Sequence, residues 1–212
     1  MLTFLKKLFY IFVPLEETPI RKIFKNHTPE QVLVAHHEAG HIMGALYLGI
    51  EVKNCQIYLN QSGQWEGKTE YNYGYSKPYL ELMIKIKQGK DVLTESNIQP
   101  ITKAGIIRYS VAIAGPIAEL KHINGSSIDD LETYRNGSDK DACWAVIDFF
   151  KQTGLHKPDM ENDFRSHIVN LFDRPHSWEA LQTLACRILT ANNHQISPSE
   201  IKQIIQPKHL LI

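Results

Sequence analysis

The segment from Thr28 to Gly49 constrains the fold most, because its pattern predicts one long and largely buried helix. Thr28 can cap the N-terminus, Pro29 suits the first helical position, and Gln31 completes a capping box. The apolar residues of this segment are Val32, Val34, Ala35, Ile42, Met43, Ala45 and Leu46. They cover more of the helix than a narrow stripe would, which indicates burial on several sides. Gly49 is the expected end of the helix.

A β-hairpin is predicted directly after this helix. Residues 51–60 alternate polar and apolar side chains and include Val, Ile and Tyr, a pattern typical of a half-buried strand. Residues 61–63 read as a turn, and residues 64–74 can return as a second strand.

The remainder of the chain is predicted to be helical. Helical periodicity marks residues 78–88, 100–123, 138–153, 159–173 and 176–193, and a capping box at Ser197 indicates a short last helix. Gly115-Pro116 predicts a kink or a fresh helix start, and the polar stretch 124–138 predicts a loop. The expected fold is therefore mainly α with a small β-hairpin. It comprises an N-terminal amphipathic segment (residues 1–27) and one helical domain (residues 28–212).

The composition of the chain limits its expected binding partners and its expected cellular location. Lys+Arg and Asp+Glu are both 23, so the formal net charge is zero, which argues against nucleic acid as the main partner. The three cysteines are scattered and form no C-x-x-C pair, which indicates buried, reduced thiols and a cytoplasmic location. The apolar run in residues 1–15 is too short to span a membrane but could dock on the domain or contact a membrane surface.

The chemistry of the chain is indicated by His37-Glu38-Ala39-Gly40-His41. Two histidines four residues apart lie on one face of a helix, about 40° from each other, and can bind one zinc ion. Glu38 can then reach a water on that metal and act as general base, so the motif predicts a zinc-dependent hydrolase. His36 lies about 100° away from His37 and has no partner four residues on, so we interpret it as an ordinary helix-face residue.

The third zinc ligand is less clear from the sequence. The metzincin pattern would need a histidine at position 47, and Tyr47 excludes it. A downstream acid remains, and Glu119, Asp139 and Asp141 are the candidates. Ser138 and Asp141 could instead form a capping box, and Glu119 could instead support a ligand through a hydrogen bond.

Several motifs together resemble the peptidase domain of the FtsH family of membrane-anchored, ATP-dependent zinc proteases. They are the histidine motif, the helix-then-strand order after it, the run Ala114–Glu119, and Gly137–Asp141 with Ala145 beyond. The resemblance covers roughly residues 28 to 205. It implies a helical zinc-peptidase fold and makes Asp141, which is followed by alanine four residues later, the third ligand beside His37 and His41.

This chain departs from that family in lacking an ATPase domain. Residues 63–69 have one residue too few between their glycines for a phosphate-binding loop, and a strand pattern follows them, so we expect no ATP site. The expected activity is therefore ATP-independent hydrolysis of peptide bonds in flexible peptides or unfolded proteins. The sequence leaves a separate ATPase partner and a homo-oligomer open.

Two alternatives to a peptidase stay open as well. One is a catalytically silent zinc-binding or chaperone-like module, against which the intact Glu38 argues. The other is a zinc amidase that acts on a non-protein bond. The hairpin could also bind substrate as an added strand, with Trp65, Tyr71, Tyr73 and Tyr75 along the groove, although core packing of these aromatic residues is the simpler interpretation.

Overall fold

The computed structural model describes residues 18–124, 137–206 and 209–210. Within these ranges the chain forms eight α-helices and one three-stranded antiparallel sheet, which confirms the mainly α class with a small β element. The N-terminal apolar run and most of the predicted loop 124–138 lie outside the described residues. None of the described helices is both long and apolar enough to cross a membrane.

The predicted elements appear in the expected order, together with a short first helix and a third strand that the sequence pattern did not predict. The helices are α1 (Pro19–Lys25), α2 (Pro29–Tyr47), α3 (Lys77–Lys87), α4 (Glu95–Asn124), α5 (Gly137–Gln152), α6 (Met160–Phe172), α7 (Pro175–Thr190) and α8 (Pro198–Ile204). The strands are β1 (Glu51–Leu59), β2 (Trp65–Asn72) and β3 (Gln195–Ile196). Both predicted capping boxes are formed, by Thr28 with Gln31 and by Ser197 with Glu200.

Of the two outcomes predicted for Gly115-Pro116, a kink or a fresh helix start, the fresh start is wrong. The helix runs from Glu95 to Asn124 with Pro116 inside it, so no new helix starts at this proline. Ala114 and Ala118 flank Pro116 and pack directly against Gly40 of α2. We attribute the continuity to this packing, because tertiary contacts can hold a helix that has lost one backbone hydrogen bond.

The closest helix pair, α2 and α4, meets through small residues. A Cβ placed at Gly40 would lie 2.5 Å from the Ala114 carbonyl oxygen and from the Ala118 Cβ, and one at Gly44 would lie 2.6 Å from the Ala114 Cβ. Glycine in mid-helix costs about 1 kcal/mol relative to alanine, and the close approach of α4 explains its use here. The two helix axes are therefore held close beside the histidine motif.

The sheet lies against the other side of α2. Its strand order is β2-β1-β3, all antiparallel, with an irregularity between Val52 and Asn54. Strand β2 is an edge strand, and Gly67 and Thr69 on it contact Glu38 of α2. The three cysteines, Cys55, Cys143 and Cys186, are buried and form no disulfide, as expected.

Candidate metal centre

Three side chains from two helices converge on one point. The Nε2 atoms of His37 and His41 are 3.1 Å apart, and Asp139 Oδ2 lies 2.9 Å from the first and 3.1 Å from the second. The histidines come from α2 and the aspartate from the first turn of α5. These three residues form a group that could hold a metal ion.

The spacing of these atoms suits a small tetrahedral ion. Zinc–nitrogen bonds of 2.0–2.1 Å at tetrahedral angles place neighbouring ligand atoms about 3.3 Å apart, close to what the group presents. The His37 and Asp139 side chains retain 23% and 22% exposure, whereas His41 retains 7%. The group is thus closed on the His41 side and open on the other. The open side leaves room for a fourth ligand on a tetrahedral metal ion.

Hydrogen bonds on the far side of each imidazole fix its orientation. His37 Nδ1 donates to Glu119 Oε2 at 3.1 Å, and His41 Nδ1 donates to the Val111 carbonyl oxygen at 2.8 Å, which leaves each Nε2 free to bind a metal. Such partners are usual for metal-binding histidines and fix the tautomer that presents Nε2. Glu119, one of the three candidate acids, thus supports His37 from behind.

The position beside the two imidazoles belongs to Asp139 and not to Asp141. Asp141 follows by two residues, about 200° round the helix, and its side chain is exposed. The helix begins at Gly137, so Asp139 lies in its first turn and Asp141 just beyond it, and only Asp139 reaches the histidines. The sequence preference for Asp141 therefore does not match this placement.

Glu38 is held at the edge of the same group. Its side chain is buried, its Oε2 accepts a hydrogen bond from the Thr69 hydroxyl, and it lines the cleft with His37 and His41. A Cβ at Gly67 would overlap the Glu38 carboxyl group, so strand β2 can approach this closely only with glycine there. Glu38, the candidate general base, is therefore held by its own helix α2 and by its contacts with strand β2.

The charges of the group are strongly coupled. Burial disfavours the charged form of His37, but its hydrogen bonds to Asp139 and Glu119 outweigh burial and raise the pKa of His37 to about 10. Burial likewise disfavours ionised Asp139, yet the neighbouring His41 and His37 hold the pKa of that carboxyl well below its usual range. The cluster is thus a site where positive charge is stabilised, which a divalent cation can exploit.

Gly115 of α4 gives the two imidazoles the space that they need. A Cβ at this position would lie 2.6 Å from His41 Nε2 and 2.7 Å from His37 Nε2, the two atoms that face the metal position. We predict that Gly115→Ala removes metal binding, because the added methyl group displaces both ligands. Metal content after gentle purification, measured by elemental analysis, tests this.

Gly105→Ala on the same helix is the matched control. Its added Cβ would meet the Phe150 ring at 2.5 Å, far from the histidines, so stability should fall while metal content is retained. A Gly115→Ala protein with full metal content would show that the ligands do not converge beside this glycine.

An open cleft of about 680 Å³ surrounds the group. Trp65, Tyr71 and Tyr73 line it and also pack against the hydrophobic core, as the simpler interpretation expected, whereas Tyr75 is exposed and carries Lys103 over its ring. Substrate binding along β2 stays a prediction. Arg108 of α4 also lines the cleft, near Tyr73.

His36 is fully buried, and not merely a helix-face residue. Its Nδ1 donates to the Val32 carbonyl oxygen, and its ring stacks on His122 at 3.8 Å between centroids, with Phe24 beside it. Burial and the nearby His122 lower the pKa of His36 to about 3. His36 therefore packs between α1, α2 and α4 and does not belong to the His37–His41–Asp139 group.

Several residues of the site were missed by sequence reasoning, namely Gly67, Thr69, Arg108, Val111 and Gly115. Gly67 and Thr69 are two apart and so share one face of a strand, but the sequence does not say which face meets α2.

No protein-family model, curated protein or solved structure matches this chain.

Proposed function

We propose that this protein is an ATP-independent zinc metallopeptidase that cleaves flexible or unfolded polypeptides. The observation that carries the proposal is the convergence of His37, His41 and Asp139 beside a buried Glu38 on the wall of an open cleft. Two imidazoles and one carboxylate with an open fourth position are the donor set of a catalytic zinc.

Each residue then has a distinct task. His37, His41 and Asp139 would hold the zinc, which supplies Lewis acidity and lowers the pKa of a bound water towards neutrality. Glu38 accepts a proton from the attacking water and delivers it to the leaving nitrogen. Thr69 holds the Glu38 carboxylate in place, and Glu119 and the Val111 carbonyl hold the imidazoles.

The cleft supports a peptide substrate in extended form. Strand β2 is an edge strand whose residues line the cleft, so a substrate backbone can pair with it beside the metal group. Only unfolded or flexible segments offer a free backbone for such pairing. The resemblance to the FtsH peptidase domain supports the same reaction, with Asp139 in place of Asp141.

The alternative of a silent zinc-binding module fits the site less well. A structural zinc is usually closed by four protein ligands, whereas the described residues supply three to this group and leave it facing an open cleft. A buried carboxylate beside it would then have no chemical task.

Metal removal tests the proposed function directly. The purified chain should contain about one zinc and cleave an unfolded protein such as casein. We expect a chelator to abolish cleavage and one equivalent of zinc to restore it, because the attacking water depends on the metal. Cleavage that survives complete metal removal, or a metal-replete protein that cleaves no polypeptide, would contradict the proposal.

A further inference from the structure

The cleft does not end at the metal group but continues along α4 to Arg108. Gly115 lies beside the metal position, and Arg108 precedes it by seven residues, about two helical turns, so both lie on the same face of α4. Seven residues correspond to about 10 Å along the helix axis. An extended peptide covers this distance in about three residues.

A second, apolar cavity of about 210 Å³ begins where the first one ends. Arg108 lines both cavities. Along α5, Ala142 lines the metal cleft while Ala145 and Val146, one turn further, line the apolar cavity. Leu80, Met83 and Ile84 of α3 form the opposite wall of the apolar cavity. The two cavities thus lie next to each other along α4 and α5 and share Arg108, with α2 and β2 on the other side of the metal cleft and α3 on the other side of the apolar cavity.

The guanidinium of Arg108 keeps hydrogen-bonding capacity for a ligand. It lies near the Tyr73 hydroxyl, and several of its five N–H groups remain available to a ligand. Among the described residues no carboxylate pairs with it. A half-buried arginine between a metal cleft and an apolar cavity favours a ligand that combines negative charge with an apolar side chain.

We propose that Arg108 is a specificity residue that binds a substrate carboxylate about three residues from the cleaved bond, while the neighbouring apolar cavity takes an apolar side chain. An apolar C-terminal residue offers both groups at once, and an Asp or Glu side chain next to an apolar residue offers the same chemistry inside a chain. This inference rests on the proposed peptidase function and names the polypeptides on which it would act.

Four matched peptides separate the sources of the carboxylate. They share one internally quenched sequence and end in Phe with a free carboxylate, in Phe-amide, in Asp-Phe-amide or in Asn-Phe-amide. We expect the free carboxylate or the Asp peptide to be cleaved with a kcat/KM roughly 10- to 100-fold above its neutral counterpart, the usual range for a charge-assisted hydrogen bond. The peptide that shows the gain identifies the source.

The variant Arg108→Gln should remove this preference by raising KM for the charged peptide, so that the charged and neutral peptides are cleaved with similar kcat/KM. Lys103→Gln is the matched control, since Lys103 is exposed on the same helix and lies over Tyr75, outside the cleft. Ala145→Trp, at an exposed position that lines the apolar cavity, should weaken cleavage of peptides ending in Phe but not of those ending in Ser.

The two proposals fail in different ways. Equal cleavage of charged and neutral peptides, with a ratio that Arg108→Gln does not change, overturns the role of Arg108 and leaves the peptidase standing. If the wild type cleaves none of the peptides, their binding to the zinc-loaded Glu38→Gln protein is measured by fluorescence anisotropy. A charge preference that Arg108→Gln removes then supports the subsite without the peptidase, and equal binding of all four peptides overturns it.

Discussion

Replacing Glu38 with Gln should leave zinc bound and lower peptide cleavage by roughly 10²- to 10⁴-fold, the range that a positioned general base contributes. Glutamine keeps the size of the side chain and an oxygen for the Thr69 hydroxyl, so the strand and the helix need not move. It cannot accept a proton at neutral pH. The measurement is the initial rate of casein cleavage together with the zinc content of the same preparation.

The control for this variant is Glu66→Gln. Glu66 lines the same cleft but is exposed and accepts hydrogen bonds from Tyr58 and Asn60 at the tip of the hairpin. Its loss should change the rate little, because it is not beside the metal group. Equal cleavage by Glu38→Gln and the wild type would mean that another protein in the preparation, or another base, carries the activity.

The sequence predicted the α2 half of the site well, because that half depends on one helix alone. The capping box at Thr28 and the four-residue spacing of His37 and His41 are local properties, and the helix forms from residue 29 to residue 47 as the pattern indicates. The mid-helix Gly40 also indicated a close neighbour, and α4 provides it.

The α4 and α5 parts of the site depend on how these helices are oriented relative to α2. The spacing of residues along the sequence does not predict that orientation. Gly115-Pro116 predicts a kink or a fresh helix start, whereas in the fold Gly115 leaves space for two imidazoles. Asp139 lies in the first turn of α5, and Asp141 follows two residues later on the same helix. Only the rotation of α5 about its own axis decides which carboxylate points at α2, and distant packing sets that rotation.

The small-residue contact between α2 and α4 links the fold to the proposed chemistry. Gly40 against Ala114 and Ala118 sets the separation of the two helices, and the same separation brings Glu119 to His37 and the Val111 carbonyl to His41. A larger residue at position 40 would therefore loosen both imidazoles without touching either. The glycine inside the histidine motif is thus part of how the metal group is oriented.

The second large effect is expected on zinc affinity, when the third ligand is removed. Asp139→Ala should lower zinc affinity by more than about 100-fold, because losing a direct ligand should exceed the 10- to 100-fold cost of losing a partner that only supports one. Asp141→Ala is a closely matched control. Both changes remove one acid near the N-terminus of α5. Asp139 lies in the first turn and should lose about 0.3–1 kcal/mol of favourable interaction with the helix dipole, whereas Asp141 lies just beyond it and should lose less.

Zinc titration against a chromophoric chelator, alongside thermal unfolding of the metal-free proteins, separates the two effects. We expect a large loss of zinc affinity for Asp139→Ala alone. The metal-free Asp139→Ala protein should also melt at a lower temperature than Asp141→Ala, because it loses the hydrogen bonds to His37 and His41. If Asp141→Ala loses zinc while Asp139→Ala retains it, the first turn of α5 must rotate by about 200° when metal binds, since the two side chains point in nearly opposite directions. The resemblance-based assignment of Asp141 would then describe the metal-bound protein.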